Sequence, residues 1–320
     1  MATPVPKRTR SRRLTLTDSS LFITEGRPLL QKTASTYLER SDEERIRYIK
    51  GSRWVSYDAA QKILIRLEDL LQYPKSHRMP NLLIVGETNS GKTLLAKYFC
   101  KRHPSQNDPA SEAANIPVMY IQAPISPDEG RFYNAILDLL FAPYKPSDRA
   151  DRKQAQVIKL LRVVGLKMLI IDEIQHILAG AMAKQRIFLN LIKYLGNELQ
   201  IPIVGIGVRE AFRAIQTDPQ LSNRFRVVTL SPWKFGEPFK DLLRTFESTL
   251  PLHHPSYLEE ETLANKILAL TDGYIGEISG LLTSAAEHAI KTGRERIDKK
   301  VLDQIDWIPP AERRTEPVDI

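Results

Sequence analysis

Apolar residues follow two rhythms along this chain. Short unbroken apolar runs at 81–85, 118–122, 167–171, 201–206 and 227–230 have the length and continuity of strands buried on both faces of a parallel sheet. Between them lie stretches with apolar residues three and four apart, the spacing of one helix face. Residues 57–72 place Ile63, Leu64, Leu67, Leu70 and Leu71 on such a face. Residues 93–101, 129–140, 153–164 and 184–199 repeat the pattern, the last with Ile187, Phe188, Leu191, Ile192, Leu195 and Leu199 on one stripe. Ser41, with Glu44 three residues on, predicts a capped helix start. After residue 230 the strand rhythm stops, and 237–249, 259–270, 277–291 and 298–305 read as helices. Pro232, Gly236 and Pro238 mark the change.

This alternation predicts an α/β body, a parallel sheet with helices on both faces, followed by a small helical lid. The expected divisions are a basic flexible arm (1–40), a nucleotide-binding body with a helical lead-in (41–232), the lid (233–308) and a polar, loose tail (309–320). The apolar fraction of 42% over 320 residues supports a packed core and excludes wholesale disorder. No apolar run approaches the ~18 residues of a membrane span. The one cysteine, Cys100, permits no internal disulfide, so a reducing, cytoplasmic setting is expected.

Two patterns carry chemistry. Gly86-Glu87-Thr88-Asn89-Ser90-Gly91-Lys92-Thr93 follows a strand-like run and opens a helix, the context of a phosphate-binding loop. Glycines give the loop its backbone freedom, and successive backbone N–H groups point at phosphate oxygens. Lys92 would bridge the β- and γ-phosphates of ATP, and the Thr93 hydroxyl would ligate Mg²⁺. The second pattern is Met168-Leu-Ile-Ile-Asp172-Glu173, a buried strand that delivers two acids to the carboxyl edge of the sheet. Asp172 would hold Mg²⁺, and Glu173 would orient or deprotonate an attacking water. The run at 118–122 lies between the two motifs and is expected to part their strands. Arg224, in Leu221-Ser-Asn-Arg224-Phe225, is a candidate arginine finger for a neighbouring subunit, with an ordinary surface arginine as the competing reading. Trp54 and Tyr57 would flank a base or join the core.

The order of these elements, with the lid behind them, resembles AAA+ ATPases, and within them the TniB/TnsC transposition ATPases. The resemblance rests on Glu44-Arg-Ile-Arg-Tyr-Ile-Lys50, Arg53-Trp54-Val-Ser-Tyr57, Arg78-Met-Pro-Asn-Leu-Leu-Ile-Val-Gly86, Leu169-Ile-Ile-Asp-Glu-Ile-Gln-His176, Gln220-Leu-Ser-Asn-Arg-Phe225 and Asp272-Gly-Tyr-Ile-Gly-Glu277. It implies a Mg²⁺-dependent ATPase that assembles as a ring or filament on duplex DNA. It also implies a DDE-type transposase and a TniQ-like targeting protein as partners, with Arg224 completing the ATP site of the next subunit. A replication-initiator or helicase-loader ATPase is the alternative reading.

Two positions depart from the AAA+ pattern. Val208 stands where a polar Asn or Thr usually ends the sensor strand. Gly276-Glu277 offers an acid where many lids carry an arginine toward the γ-phosphate. Both departures lead to an expectation of slow hydrolysis, used as a timer. Charge adds a DNA expectation. There are 46 Lys+Arg against 38 Asp+Glu, a net charge of +8, and Lys7, Arg8, Arg10, Arg12 and Arg13 crowd the first 17 residues. Lys145, Arg149, Arg152 and Lys153 flank a Pro- and Asp-rich loop and are further candidates for phosphate contact, against the reading of a solvated loop.

Overall fold

A computed structural model describes residues 30–106, 114–178, 180–216 and 222–313. The helices up to the last strand are α1 (Lys32–Ser35), α2 (Asp42–Lys50), α3 (Asp58–Leu71), α4 (Lys92–Arg102), α5 (Glu129–Leu139), α6 (Ala150–Val163), α7 (Met182–Leu199) and α8 (Arg209–Gln216). The strands are β1 (Asn81–Gly86), β2 (Val118–Gln122), β3 (Met168–Asp172), β4 (Ile203–Gly207) and β5 (Phe225–Leu230). Five helices follow: α9 (Glu237–Ser248), α10 (Glu261–Thr271), α11 (Ile275–Lys291), α12 (Lys299–Gln304) and α13 (Pro310–Arg313).

The strands form one parallel sheet in the order β2-β3-β4-β1-β5. Strand pleating sends successive side chains to opposite faces. Leu83 and Val85 of β1 therefore join Ile121, Leu169 and Ile171 under α5, α6 and α7. Leu82 and Ile84 join Met168, Ile170 and Ile206 under α3 and α4. Leu83 and Ile84 are fully buried, which is worth about 1.5–3 kcal/mol for each side chain. β2 is an edge strand, so the expectation that 118–122 parts the motif strands is corrected. β4 lies between β1 and β3, with Val85 opposite Gly207 and Ile171 opposite Gly205. Gly205 has a local reason: a Cβ there would stand 2.9 Å from Ile174 Cδ1 and 3.0 Å from Leu83 Cδ1.

α9–α12 close a second apolar core, to which Ile49 and Val55 also belong. The lead-in helix α2 is thus packed with the lid, across α11, although it precedes the body in sequence. Ser41 caps it as expected: its hydroxyl accepts from Glu44 N at 3.4 Å, and its own N–H donates to Glu44 Oε2 at 3.3 Å. Arg45 fixes α2 to the lid. Its guanidinium donates to Pro251 O (2.7 and 3.1 Å), Asp42 Oδ1 (3.1 Å) and Glu295. The end of the expected free arm is also docked, since Ala34 is buried and Gln31 N donates to Ser248 O at 2.8 Å. The basic cluster Lys7–Arg13 lies outside the described residues.

α8 was not expected; only Ala211 and Ile215 of its eight residues are described as buried, too few for a visible stripe. Ile187, expected in the core stripe of α7, is 48% exposed. Among the described residues no helix is long and apolar enough to cross a membrane. Replacing Arg45 by Ala strands Glu295 and the Pro251 carbonyl. The urea midpoint should fall by the equivalent of about 3–5 kcal/mol, and an unchanged midpoint would show that this network does not hold α2 to the lid.

Candidate active site

Parallel pairing brings the carboxyl ends of β1, β3 and β4 to one edge, and the two motifs meet there. The loop after β1 turns through left-handed backbone at Asn89 (φ 62°) and Gly91 (φ 84°) before α4 begins at Lys92. Gly86 permits its closure: a Cβ there would lie 2.5 Å from Ser90 Oγ and 2.8 Å from Leu230 O. The buried Lys92 ammonium donates to Gly86 O and Glu87 O, both at 2.7 Å, and to Ser90 Oγ at 3.2 Å. Burial lowers its pKa from the ordinary lysine value, against the opposing pull of Glu173, Asp172 and Glu87. An anion entering the loop would meet this charge and the first N–H groups of α4, which have no intrahelical partners.

Asp172 is buried at the end of β3. Its Oδ2 accepts from Thr93 Oγ1 at 2.7 Å and from the Tyr120 hydroxyl at 2.6 Å, and its Oδ1 accepts from Glu173 N at 2.8 Å. The pairing of Thr93 with Asp172 fits a hard, oxygen-liganded cation such as Mg²⁺. Tyr120 was not anticipated from the sequence. Burial, and next its bond to Asp172, raise its pKa from the ordinary phenol value, so it stays a donor. Glu173 takes left-handed backbone (φ 54°), a strain on the order of 1–3 kcal/mol that surrounding contacts must hold. Its carboxylate accepts from the Gln175 amide. His176, the next residue, shares a 3.3 Å hydrogen bond with Ala123 O.

A cavity of about 510 Å³ opens over this edge, within the range of small-molecule sites. Thr88–Leu94, Glu173, Gln175 and Val208 are among the residues that line it. Arg53, Trp54, Val55, Tyr57, Phe246 and Ile275 line it as well. Trp54 and Tyr57 therefore face the site and also pack: Trp54 stacks on Tyr98 at 4.1 Å, and Tyr57 meets Trp233 edge-on at 5.4 Å. Burial pushes the Tyr57 phenol up to about 12.

The lid closes directly on the loop. Gly276 N donates to Asn89 O at 2.8 Å, and Asn89 Nδ2 donates to Glu277 Oε1 at 2.7 Å. The other Glu277 oxygen pairs with Arg313. The acid that the lid offers in place of an arginine is paired, because the Glu277 carboxylate already has two donors. The first residues of the expected tail are held: Arg313 in α13 is tied to Glu277 and lies over the Trp307 ring at 5.5 Å, while 314–320 lie outside the described residues.

Arg224 is placed apart from this edge. Its carbonyl accepts from Asn81 N at 2.9 Å, at the opposite end of β1, and its guanidinium donates to Asn197 Oδ1 at 2.7 Å. Of the loop cations, Lys153 is corrected. It is buried, donates to Pro146 O at 3.1 Å and lies over the Tyr144 ring at 5.3 Å, so it presents nothing to a phosphate. Lys145, Arg149 and Arg152 are exposed, but Arg149 pairs with Asp151 (3.1 Å) and Arg152 with Asp148 (3.2 Å).

Comparison with known proteins agrees with this geometry. The family model described as the bacterial TniB protein matches residues 45–235, over half of the chain. No curated protein sequence matches. Among solved structures, the ORC1 protein of Aeropyrum pernix in complex with DNA is similar at a TM-score of 0.58 and 18% identity, over 80% of this chain and 67% of that one. Cdc6p of Pyrobaculum aerophilum gives 0.56 and 18%, over 87% and 75%. The A. pernix ORC2 protein gives 0.55 and 17%, over 85% and 74%.

The contact between lid and loop can be tested by substitution. Glu277→Ala should lower the thermal midpoint by the equivalent of about 1–3 kcal/mol, because Arg313 and Asn89 lose their shared acceptor. It should also speed release of a bound nucleotide; unchanged melting and release would show that the contact holds nothing. The site and the sheet order place the molecule in the P-loop AAA+ ATPase fold, and the chain belongs to the TniB family.

Proposed function

We propose that this chain is an ATP-dependent, DNA-binding regulator of transposition. It assembles on duplex DNA as a ring or filament, marks the target, and recruits a DDE-type transposase with a TniQ-like targeting protein. Slow ATP hydrolysis drives disassembly. The observation that carries the ATPase reading is the buried Asp172 carboxylate shared with Thr93, beside Lys92 and Glu173. The TniB match supports the transposition reading.

In this reading the loop 86–93 cradles the phosphates, and Lys92 leaves its carbonyl partners to bridge the β- and γ-phosphates. Thr93 and Asp172 hold Mg²⁺, which when bound neutralises charge on the phosphate oxygens. Glu173 orients the attacking water and accepts its proton. Asn89 links the loop to the lid through Gly276 and Glu277. Arg224, at the far edge of its own sheet, serves only a neighbour's γ-phosphate, which requires a head-to-tail assembly. Lys145, Arg149, Arg152 and the arm at Lys7–Arg13 supply phosphate contacts whose strength falls with salt. Likeness to the ORC and Cdc6 structures favours one second reading, a replication-initiator or loader role.

Electron microscopy of the full chain with duplex DNA and a non-hydrolysable ATP analogue should show DNA-bound rings or filaments. Glu173→Gln should assemble equally well but hydrolyse ATP at least about 100-fold more slowly and persist on DNA. The absence of any DNA-bound oligomer with any nucleotide would sink the proposal.

A further inference from the structure

β4 brings no polar side chain to the edge where the phosphate loop and the two acids converge. It ends in Gly207, followed by Val208. The space at Gly207 is filled from the neighbouring strand's connection. A Cβ on Gly207 would collide with Gln175 Oε1 and stand 2.8 Å from Ala211 Cβ, so glycine is what admits the Gln175 side chain. Gln175 Oε1 accepts from Val208 N at 3.3 Å, and Gln175 Nε2 donates to Glu173 Oε2. All three residues line the cavity.

One primary amide thus joins the acid after β3 to the main chain after β4. The link continues, because Arg209, immediately after Val208, opens α8 and meets Glu87 of the phosphate loop at 2.9 Å. Left-handed backbone at Glu173 fixes where its side chain leaves the main chain, and the bond from Gln175 Nε2 holds the carboxylate at its far end. An amide suits this role because it is uncharged and presents a donor and an acceptor at fixed spacing.

We propose that Gln175 is a positioning residue for ATP hydrolysis, supplying from the β3–α7 connection the polar group that the end of β4 lacks. It aims Glu173 at the attacking water and registers it against β4 and, through Arg209, the phosphate loop. This rests on the reading of Glu173 as the acid that handles the water, so the test separates the two.

ATP turnover and binding of a fluorescent non-hydrolysable ATP analogue are measured for the full-length wild type, Glu173→Gln, Gln175→Met, Gln175→Glu and Gln175→Met with Val208→Asn. Methionine keeps length and loses both bonds; glutamate keeps the acceptor for Val208 N and loses the donor to Glu173. Both single Gln175 variants should lose about 10–100-fold in kcat, with ATP KM and analogue affinity within about twofold of wild type. Asparagine at 208 returns a polar side chain to the end of β4 and should recover at least about fivefold over Gln175→Met. Gln175 variants that turn over like wild type while Glu173→Gln is inactive would overturn the inference alone. So would loss of analogue binding in both single variants, or a double variant no faster than Gln175→Met. A wild type without turnover, or an active Glu173→Gln, would overturn the underlying reading and the inference with it.

Discussion

Parallel pairing of β4 between β1 and β3 is the constraint on which the site depends. It sets the phosphate loop and the Asp172-Glu173 pair one strand apart, with room between them for chemistry at the shared carboxyl edge. Side chains then complete the arrangement. The Thr93–Asp172 hydrogen bond of 2.7 Å spans that gap and brings the start of α4 to the end of β3. Tyr120 reaches Asp172 from the edge strand. A further strand between β1 and β3 would add about 4.8 Å to that gap and break the Thr93–Asp172 bond.

The same topology accounts for the division of labour across the molecule. Parallel strands collect the loop, the acids and Gln175 at one edge, and they send Arg224 to the other, beside the start of β1. The lid covers the open side of the loop and is itself held by residues from both ends of the described chain. Arg45 ties α2 to Pro251 and Glu295, and Arg313 ties α13 to Glu277. The end of the expected arm also meets the lid, where Gln31 N donates to Ser248 O, so the described parts of arm and tail are structural there.

What was legible in the sequence was local. Gly86–Thr93 and the apolar run ending in Asp172-Glu173 declare themselves because each is one contiguous strand-to-turn segment. The helix start at Ser41 declares itself through a partner three residues away. What was not legible depended on strand order or on contacts distant in sequence. Residues 118–122 follow the phosphate loop in the chain, yet β2 lies at the edge, because crossover length does not dictate neighbours. Lys153 reads as a solvent-facing charge in a basic cluster, and only folding brings Pro146 O and the Tyr144 ring to it. Glu277 reads as an acid set against phosphate until Asn89 and Arg313 arrive from 188 and 36 residues away. Val208 reads as a missing polar group until the Gln175 amide is seen to fill the space beside it.

In the proposed assembly, ATP hydrolysis needs groups from two subunits: the loop and acids of one, and Arg224 of the next. Mixing two variants tests it most directly. Lys92→Ala removes the phosphate cradle but keeps Arg224, and Arg224→Ala does the reverse. Each alone should hydrolyse little ATP on duplex DNA, and the mixture should exceed the sum of the two because mixed neighbours restore whole sites. A mixture no more active than that sum, or an Arg224→Ala protein as active as wild type, would contradict the account.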